Sequence, residues 1–271
     1  MKKIIVNADD FGISEGVNKA VATGYSGGII NSTSIMINLP DAASAVELIK
    51  DLKDLNVGLH VNLTNGNAVS PSGIIPLLAD SQGRLKNGFV KLCLLSLLHP
   101  IQFRKQAEKE IEAQIKKAVA SGIKLTHIDS HRHIHIIPSL FKIVNSLANK
   151  HNISCIRSVN ENIFYSASCG DFSFIFDGGL IKYFLLRFFT ILNCQHSDTY
   201  FYSILYTGKL FGIRVQNIKI PPKYARIELC LHPNIGGIDI DVIDKNVLSL
   251  YRIKEMETIM DKTVLEKMFK K

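Results

Sequence analysis

The sequence predicts an α/β fold built on a parallel sheet or barrel. Short β-branched and apolar runs alternate along the chain with longer stretches of helical periodicity, and this alternation is typical of βα units. The length of 271 residues suits one barrel-sized domain, and no internal repeat, low-complexity tract or evident linker divides the chain. We therefore expect a single domain over residues 1–271.

Six strands and six helices follow from this pattern. The strands are predicted at residues 3–8, 32–37, 57–63, 125–130, 153–159 and 226–231. The helices are predicted at residues 14–23, 41–52, 102–120, 138–150, 180–192 and 242–262. Ser14 and Glu15 make an acceptable helix start, and Pro138 stands where a first-turn proline belongs.

Residues 178–192 are apolar on nearly every face of the predicted helix. Such a pattern favours a helix buried in the core or in a subunit contact, which makes a homodimer one candidate assembly. A lid over an active site, or a surface for an apolar substrate, is the alternative.

The net charge of +8 raises the question of a nucleic-acid partner. The basic residues between 104 and 117 alternate with Glu108, Glu110 and Glu112, which is typical of a solvated helix face. No zinc-finger, helix-turn-helix or RNP pattern accompanies them. We therefore expect no nucleic-acid partner.

Cysteine usage and the apolar segments bear on location. The five cysteines show no CxxC spacing, and the first apolar run reaches Asn7 too early for a secretory signal, so reduced thiols in a cytoplasmic protein are expected. The most apolar later stretch is interrupted by Asp177, Lys182 and Arg187, which makes it a poor membrane span.

The first predicted strand ends on two adjacent carboxylates, Asp9 and Asp10. Neighbouring carboxylates repel one another and resist burial unless a cation or a shared proton compensates them. The rest of the sequence supplies candidates for a cation site.

Histidines follow three other predicted strands. His60 alternates with apolar Leu59 and Val61, so it faces away from the packing layer. His232 ends the strand at 226–231, before Pro233 turns the chain. In a βα barrel, catalytic groups gather at the carboxyl ends of strands.

The ten-residue window THIDSHRHIH, residues 126–135, holds four more histidines. The residues at odd positions share one face for as long as the chain stays extended; they are His127, Asp129, His131, His133 and His135. Clustered imidazoles favour a metal-binding or catalytic role over packing. One aspartate and two histidines around a divalent cation would form a nitrogen–oxygen site with open positions, leaving the second aspartate free as a base.

Four motifs together give the chain a family resemblance. NADDFG, GLHVNLT, THIDSHRHIH and ELCLHP, in this order and spacing, resemble the YdjC-like carbohydrate deacetylases, which include chitooligosaccharide deacetylases and hopanoid-associated proteins. The resemblance covers residues 3 to about 262. It implies a distorted (βα) barrel related to the polysaccharide deacetylases, and removal of an acetyl group from an N-acetylated sugar with a divalent metal, Mg²⁺ or Zn²⁺.

The resemblance also implies roles for individual residues. Asp10, His60 and His131 match the metal ligands, Asp9 matches the general base, and His232 matches a histidine near the leaving amine. Residues expected to bind substrate or to support the ligands are Asp129, His133, His135, Arg157 and Glu228. Residues 169–211 match no family motif and are expected to shape the substrate pocket.

Three other functions are considered beside the deacetylase. A metal-dependent phosphoesterase on the same scaffold would need phosphate anchors, and no Gly-rich phosphate loop is present. A sugar-binding protein without activity would not need a base beside the metal. An Fe(II) oxygenase would use the same aspartate and two histidines, and its activity would depend on oxygen.

Overall fold

The centre of the fold is a sheet of parallel strands. The computed structural model describes residues 3–195, 197–217, 221–236, 245–264 and 266. Within that part of the chain the strands are β1 Lys3–Phe11, β2 Ser32–Ile35, β3 Asn56–Val61, β4 His127–Ser130, β5 Cys155–Ile156, β6 Thr199–Tyr202 and β7 Arg226–Leu231. The predicted parallel α/β class is confirmed.

The strand order is β5-β4-β3-β2-β1-β7-β6, and every pairing is parallel. The sheet curls, and its two edges approach one another where the N–H of Phe201 in β6 donates to the carbonyl of Asn160, just beyond β5, at 3.3 Å. A sheet that nearly closes through one irregular contact is an incomplete barrel. The expectation of a distorted barrel in a single domain is therefore confirmed.

Helices cover the sheet between its strands. They are α1 Glu15–Ser26, α2 Ala42–Ile49, α3 Phe89–Leu98, α4 Pro100–Ala120, α5 Pro138–Lys150, α6 Ile163–Ser166, α7 Gly179–Leu192, α8 Ile213–Gln216 and α9 Leu250–Met260. Ser14 caps α1 by accepting a hydrogen bond from the N–H of Val17, as Ser, Thr, Asp and Asn do at helix starts. None of the described helices combines the length and the apolar character needed to cross a membrane.

All six predicted strands and six predicted helices occur, but several boundaries differ. The strand predicted at 153–159 is only Cys155–Ile156, and the helix predicted at 242–262 begins at Leu250, with residues 242–244 outside the described part of the chain. Strand β6 and helices α3, α6 and α8 were not predicted. Strand β6 has only four residues, too few for a period to stand out.

Burial in the core, one of the two environments expected for residues 178–192, applies to only one face of the helix. Tyr183 and Leu186 pack into the core, whereas Ile181 and Phe184 on the opposite side are 77% and 60% exposed. An apolar sequence without polar positions carries no signal for which face is covered, so periodicity could not separate the two faces.

Candidate metal centre and active site

The two adjacent aspartates lie at the carboxyl end of β1 and point to different partners. Asp10 has a left-handed backbone conformation, with φ of 68°. Outside β-strand geometry its side chain no longer simply alternates with that of Asp9. Both side chains are essentially inaccessible to solvent. The turn therefore separates two like charges that a regular strand end would leave side by side.

Asp9 is held by a buried guanidinium. Arg157 Nη1 and Nη2 donate to Oδ2 and Oδ1 of Asp9, both at 2.7 Å, which is the bidentate geometry of a strong charge-assisted pair. The same guanidinium lies 2.7 Å from Oδ2 of Asp129 and donates from Nε to Oε1 of Glu228 at 2.6 Å. Burial raises the pKa of the Asp9 carboxyl, but Arg157 and the nearby His60 outweigh it and lower that pKa well below its usual range. Asp9 is therefore ionised at neutral pH.

Asp10 forms a cluster with two histidines. Its Oδ1 lies 2.9 Å from Nδ1 of His131 and 3.3 Å from Nε2 of His60. One potential ligand atom from each of the three side chains lies within 4.8 Å of the other two, and all three residues are buried. One carboxylate oxygen and two imidazole nitrogens form a donor set that divalent metals accept.

His60 is oriented by a second carboxylate. It pairs with Asp129 across β3 and β4, and its Nδ1 lies 2.7 Å from Oδ1 of Asp129. This bond leaves Nε2 directed at Asp10, as in histidine ligands whose other ring nitrogen bonds a carboxylate. Burial opposes charge on the ring, yet Asp129 and Asp9 raise the pKa of His60 to about 10. The surrounding carboxylates thus favour a positive charge here, carried by a proton or by a metal ion.

Two further residue groups hold potential ligands, and both include Asp9. They are Asp9 with Cys230 and His232, and Asp9 with His60 and Asp129. Both oxygens of Asp9 already accept hydrogen bonds from Arg157, whereas Asp10 accepts from Arg252 through Oδ2 and keeps Oδ1 directed at His60 and His131. The cluster of Asp10, His60 and His131 therefore fits a cation better.

The histidines after Ser130 do not share one face. Strand β4 ends at Ser130, and the next residues form a short 3₁₀ segment, His131–Ile136, with left-handed backbone at Arg132 and His133. The common face that is expected for the odd positions while the chain stays extended therefore ends at Ser130, where the extended conformation ends.

The structure places these histidines in separate environments. His127 precedes the 3₁₀ segment, and its ring lies so close to Gly58 that a Cβ atom on residue 58 would clash with it. His133 contacts Phe201 edge-on, with 5.8 Å between ring centroids. Nδ1 of His135 lies 2.5 Å from Oγ of Ser130, and its Nε2 lies 3.2 Å from the carbonyl oxygen of Arg157. Only His131 of this group joins the cluster around Asp10.

His232 stands at the end of β7, beside Asp9. Its Nε2 lies 3.9 Å from Oδ2 of Asp9, and its side chain is 13% exposed. Burial lowers the pKa of His232 to about 4, although Asp9 and Asp10 act in the opposite direction. At neutral pH the ring is therefore neutral and adjacent to an ionised carboxylate.

Two side chains of α9 support the site, and neither was predicted from the sequence to do so. Arg252 donates from Nη2 to Oδ2 of Asp10 at 2.5 Å. Glu255 accepts hydrogen bonds from the N–H groups of His232 and Leu210 at 2.5 and 2.7 Å. The only available signal was the i, i+3 spacing, which puts both residues on one face of the predicted helix but is equally typical of a surface pair.

A cavity of about 520 Å³ lies next to the cluster. Its lining is mostly polar or basic and comprises Thr64, Asn65, Gly66, Asn67, Arg84, Leu85, Lys86, Asn87, Gly88 and Arg132. Asn65 connects the cavity to the cluster, since its Nδ2 lies 3.4 Å from Nε2 of His131. A ligand in this cavity would be within reach of Asp10 and its partners.

Comparison with known proteins identifies the family. The model of the family described as YdjC-like protein matches residues 3–269. A carbohydrate deacetylase of Brevibacillus brevis is 40% identical over 151 residues, which cover 56% of this chain and 57% of that protein. A carbohydrate deacetylase of Clostridium beijerinckii is 28% identical over 267 residues, 97% of this chain and 94% of that protein.

One solved structure supports the same fold. A protein of Enterococcus faecalis V583, described as a candidate cellobiose-phosphate cleavage protein, superposes with a TM-score of 0.69 at 22% identity, covering 98% of this chain and 93% of the other. With the family model matching nearly its whole length, the chain belongs to the YdjC-like family.

Proposed function

We propose that this protein is a metal-dependent carbohydrate deacetylase that removes the acetyl group from an N-acetylated amino sugar. The observation that carries the proposal is the cluster of Asp10, His60 and His131, with His60 oriented by Asp129 and with Asp9 beside it. The two relatives named as carbohydrate deacetylases support the reaction class.

Asp10, His60 and His131 would hold a single divalent cation, Mg²⁺ or Zn²⁺. Oxygen ligands suit both ions, while two imidazoles suit Zn²⁺ better than Mg²⁺. When bound, such an ion supplies Lewis-acid polarisation of the acetyl carbonyl and of the attacking water. Arg252 and Asp129 would keep the carboxylate and the His60 ring in the orientation that binding requires.

Asp9 would act as the proton acceptor. Its pKa is held low, so it is available in the ionised form, and it lies next to the proposed ligand Asp10 along the chain. The bidentate contact with Arg157 prevents rotation of the carboxylate, which keeps its oxygens in one place during the reaction.

His232 would return the proton to the departing sugar nitrogen. An amide nitrogen leaves poorly as an anion, so collapse of the tetrahedral intermediate needs a general acid. The neutral ring of His232, 3.9 Å from Oδ2 of Asp9, is placed to receive the proton that Asp9 accepts. A movement that brings these two atoms to hydrogen-bond distance would allow the proton to transfer.

The adjacent cavity would hold the sugar. Among its lining residues, the exposed side chain of Asn67 offers a donor and an acceptor to hydroxyl groups, and that of Lys86 offers donors. A volume of about 520 Å³ lies in the range of small-molecule sites. Residues 169–211 are expected from the sequence to shape the substrate pocket. None of the described residues in this range lines the cavity, although Phe201 from this range contacts His133.

Acetate release is the direct test. Metal-depleted protein would be incubated with N-acetylated oligosaccharides of increasing length, before and after Mg²⁺ or Zn²⁺ is restored. We expect acetate from at least one sugar only after metal is restored, and no acetate from Asp10→Asn under the same conditions. Asp198→Asn, a surface substitution in the pair of Asp198 with Arg226, is the matched control and should retain activity.

Two outcomes would contradict the proposal. Phosphate release from sugar phosphates without any acetate release would favour the phosphoesterase. Metal-dependent sugar binding without turnover of any acetylated sugar would favour a binding protein.

A further inference from the structure

Helices α3 and α7 present a large exposed apolar surface beside the candidate active site. Of the 23 large apolar side chains that are exposed in the described part of the chain, five lie in residues 90–101 and nine in residues 172–192. Leu97 is 75% exposed, and Phe176, just before α7, is 90% exposed. We call these two segments together the α3–α7 face.

The two segments form one surface. The rings of Phe89 in α3 and Phe189 in α7 stack with their centroids 6.1 Å apart, so the helices lie in contact. Both helices also pack on the His131–Ile136 segment that carries a proposed metal ligand. Exposed apolar patches of this extent mark interaction sites on soluble domains.

Basic residues predominate among the charged residues around the α3–α7 face. No Asp or Glu occurs from residue 86 to 107 or from 178 to 197. Lys91, Arg104 and Lys105 are exposed in and after α3. The acidic residues at the two ends of α7 are already paired, since Asp177 contacts Lys209 and Asp198 contacts Arg226.

We infer that the α3–α7 face docks on the surface of an anionic lipid bilayer, with both helices lying in the plane of the interface. Apolar helix faces flanked by Lys and Arg are typical of interfacial binding. At 10 and 14 residues the helices are about 15 and 21 Å long, too short to span a hydrocarbon core of about 30 Å.

Charge complementarity favours lipid over a second copy of the chain. An isologous contact would bring the same basic flank from both copies to one interface, and the one acidic residue of the two segments, Asp177, already pairs with Lys209. Anionic headgroups supply the opposite charge. The inference concerns binding and holds whether or not the proposed reaction is correct.

Vesicle flotation with the full chain tests the inference. Vesicles of phosphatidylcholine mixed with phosphatidylglycerol would be compared with vesicles of phosphatidylcholine alone. The double variant Leu97→Glu with Phe188→Glu places charge in the α3–α7 face. Val119→Glu is the matched control, because Val119 is 54% exposed on α4 about 27 Å further along that helix from Ile101.

We expect the wild type and Val119→Glu to float with the mixed vesicles, and the double variant to lose at least about tenfold in partition coefficient. Lys91→Gln with Arg104→Gln and Lys105→Gln should lose a similar factor on mixed vesicles only, and added salt should reproduce that loss in the wild type. Circular dichroism and thermal unfolding would establish folding, and if the double variant fails to fold, the triple variant and the salt series decide.

Absence of wild-type flotation, or equal flotation of all variants, would overturn the inference. A concentration-dependent dimer in analytical ultracentrifugation that the double variant abolishes, with no vesicle binding, would assign the α3–α7 face to a second copy instead.

Discussion

Arg252 and Asp10 are joined by a buried hydrogen bond of 2.5 Å, although 242 residues separate them in the sequence. Glu255, three residues later on the same helix, bonds the backbone of His232. Helix α9 therefore supports both the proposed metal ligand and the proposed acid. A change in this helix can alter the site without touching any residue that contacts substrate.

Substitution of Arg252 should weaken metal binding. Arg252→Gln removes the donor that orients Oδ2 of Asp10, and partners that orient metal ligands typically contribute 10- to 100-fold, so we expect a loss of roughly that size in Zn²⁺ or Mg²⁺ affinity. Arg252→Lys should lose less. Titration of metal into the depleted protein measures the effect, with Arg226→Gln as control; equal affinity in all variants would show that Arg252 has no positioning role.

Substitution of Arg157 should lower the free energy of unfolding far more than substitution of an exposed arginine that also pairs with a carboxylate. Its substitution by Gln leaves Asp9, Asp129 and Glu228 buried without their cation, and breaking a buried ion pair typically costs about 3–5 kcal/mol. Arg226→Gln breaks an exposed pair with Asp198, for which about 0–1 kcal/mol is expected. Denaturant unfolding of the two variants gives the comparison, and similar losses would contradict the proposed role of Arg157.

Asp9 and Asp10 should respond differently to the same substitution. Asp10→Asn should lose metal, because it removes the charged ligand. Asp9→Asn should keep metal but lose activity by a factor of about 10²–10⁴, the usual contribution of a general base. Metal content by elemental analysis, together with acetate release, separates the two effects. Equal metal loss in both variants would rule out this division of roles.

Glu161 should make stability depend on pH. Burial raises the pKa of Glu161 from 4.5 to about 7, against hydrogen bonds that Ser166 and the N–H groups of Ile204 and Leu205 donate to it. Between these two values the folded state holds a proton that the unfolded state has released. Stability should therefore fall as pH rises from 5 to 8, by about 3 kcal/mol.

Glu161→Gln tests that dependence, since the amide has no such proton to lose. The difference in unfolding free energy between the variant and the wild type should shift in favour of the variant as pH rises from 5 to 8. A difference that stays constant over this range would mean that Glu161 is ionised in the folded protein throughout.

Much of the fold could be predicted because periodicity and strand ends are local signals. The six predicted strands exist, and Asp10, His60 and His131 meet because parallel strands deliver their carboxyl ends to one edge. The exposure of α7 could not be predicted, since which face of a uniformly apolar helix is covered depends on its neighbours. Burial of such a helix is a tertiary property.

The support of the site was also hidden, for a related reason. In the sequence, Arg252 and Glu255 are typical of charged residues on a helix surface. They contact Asp10 and His232 only because α9 packs beside the carboxyl ends of the strands. Likewise, the histidines after Ser130 appeared to share a face until two left-handed residues changed the direction of the chain. Sequence motifs identify the potential metal ligands, whereas tertiary packing determines which other side chains contact them.

Substitution of His232 should reduce activity more strongly on substrates with poorer leaving groups. Its ring is neutral at pH 7 because burial lowers its pKa to about 4, so it can serve as an acid only with a proton received during the reaction. The proposed source is Asp9, whose Oδ2 lies 3.9 Å from Nε2 of His232. General acid catalysis contributes about 10²–10⁴-fold. His232→Ala should therefore lose about that factor on a sugar acetamide, whose nitrogen must be protonated.

The same variant should be slowed much less on an activated aryl acetate, because a phenolate leaves without a proton. Metal content should be unchanged, since His232 lies outside the cluster of Asp10, His60 and His131. The alternative is that the His232 side chain serves only to hold its loop, through the contact of its Nδ1 with Oε2 of Glu255 at 3.9 Å, in which case a shifted loop would impair both substrates to a similar extent. Comparison of kcat/KM for the two substrates decides, and equal losses would assign His232 a structural role.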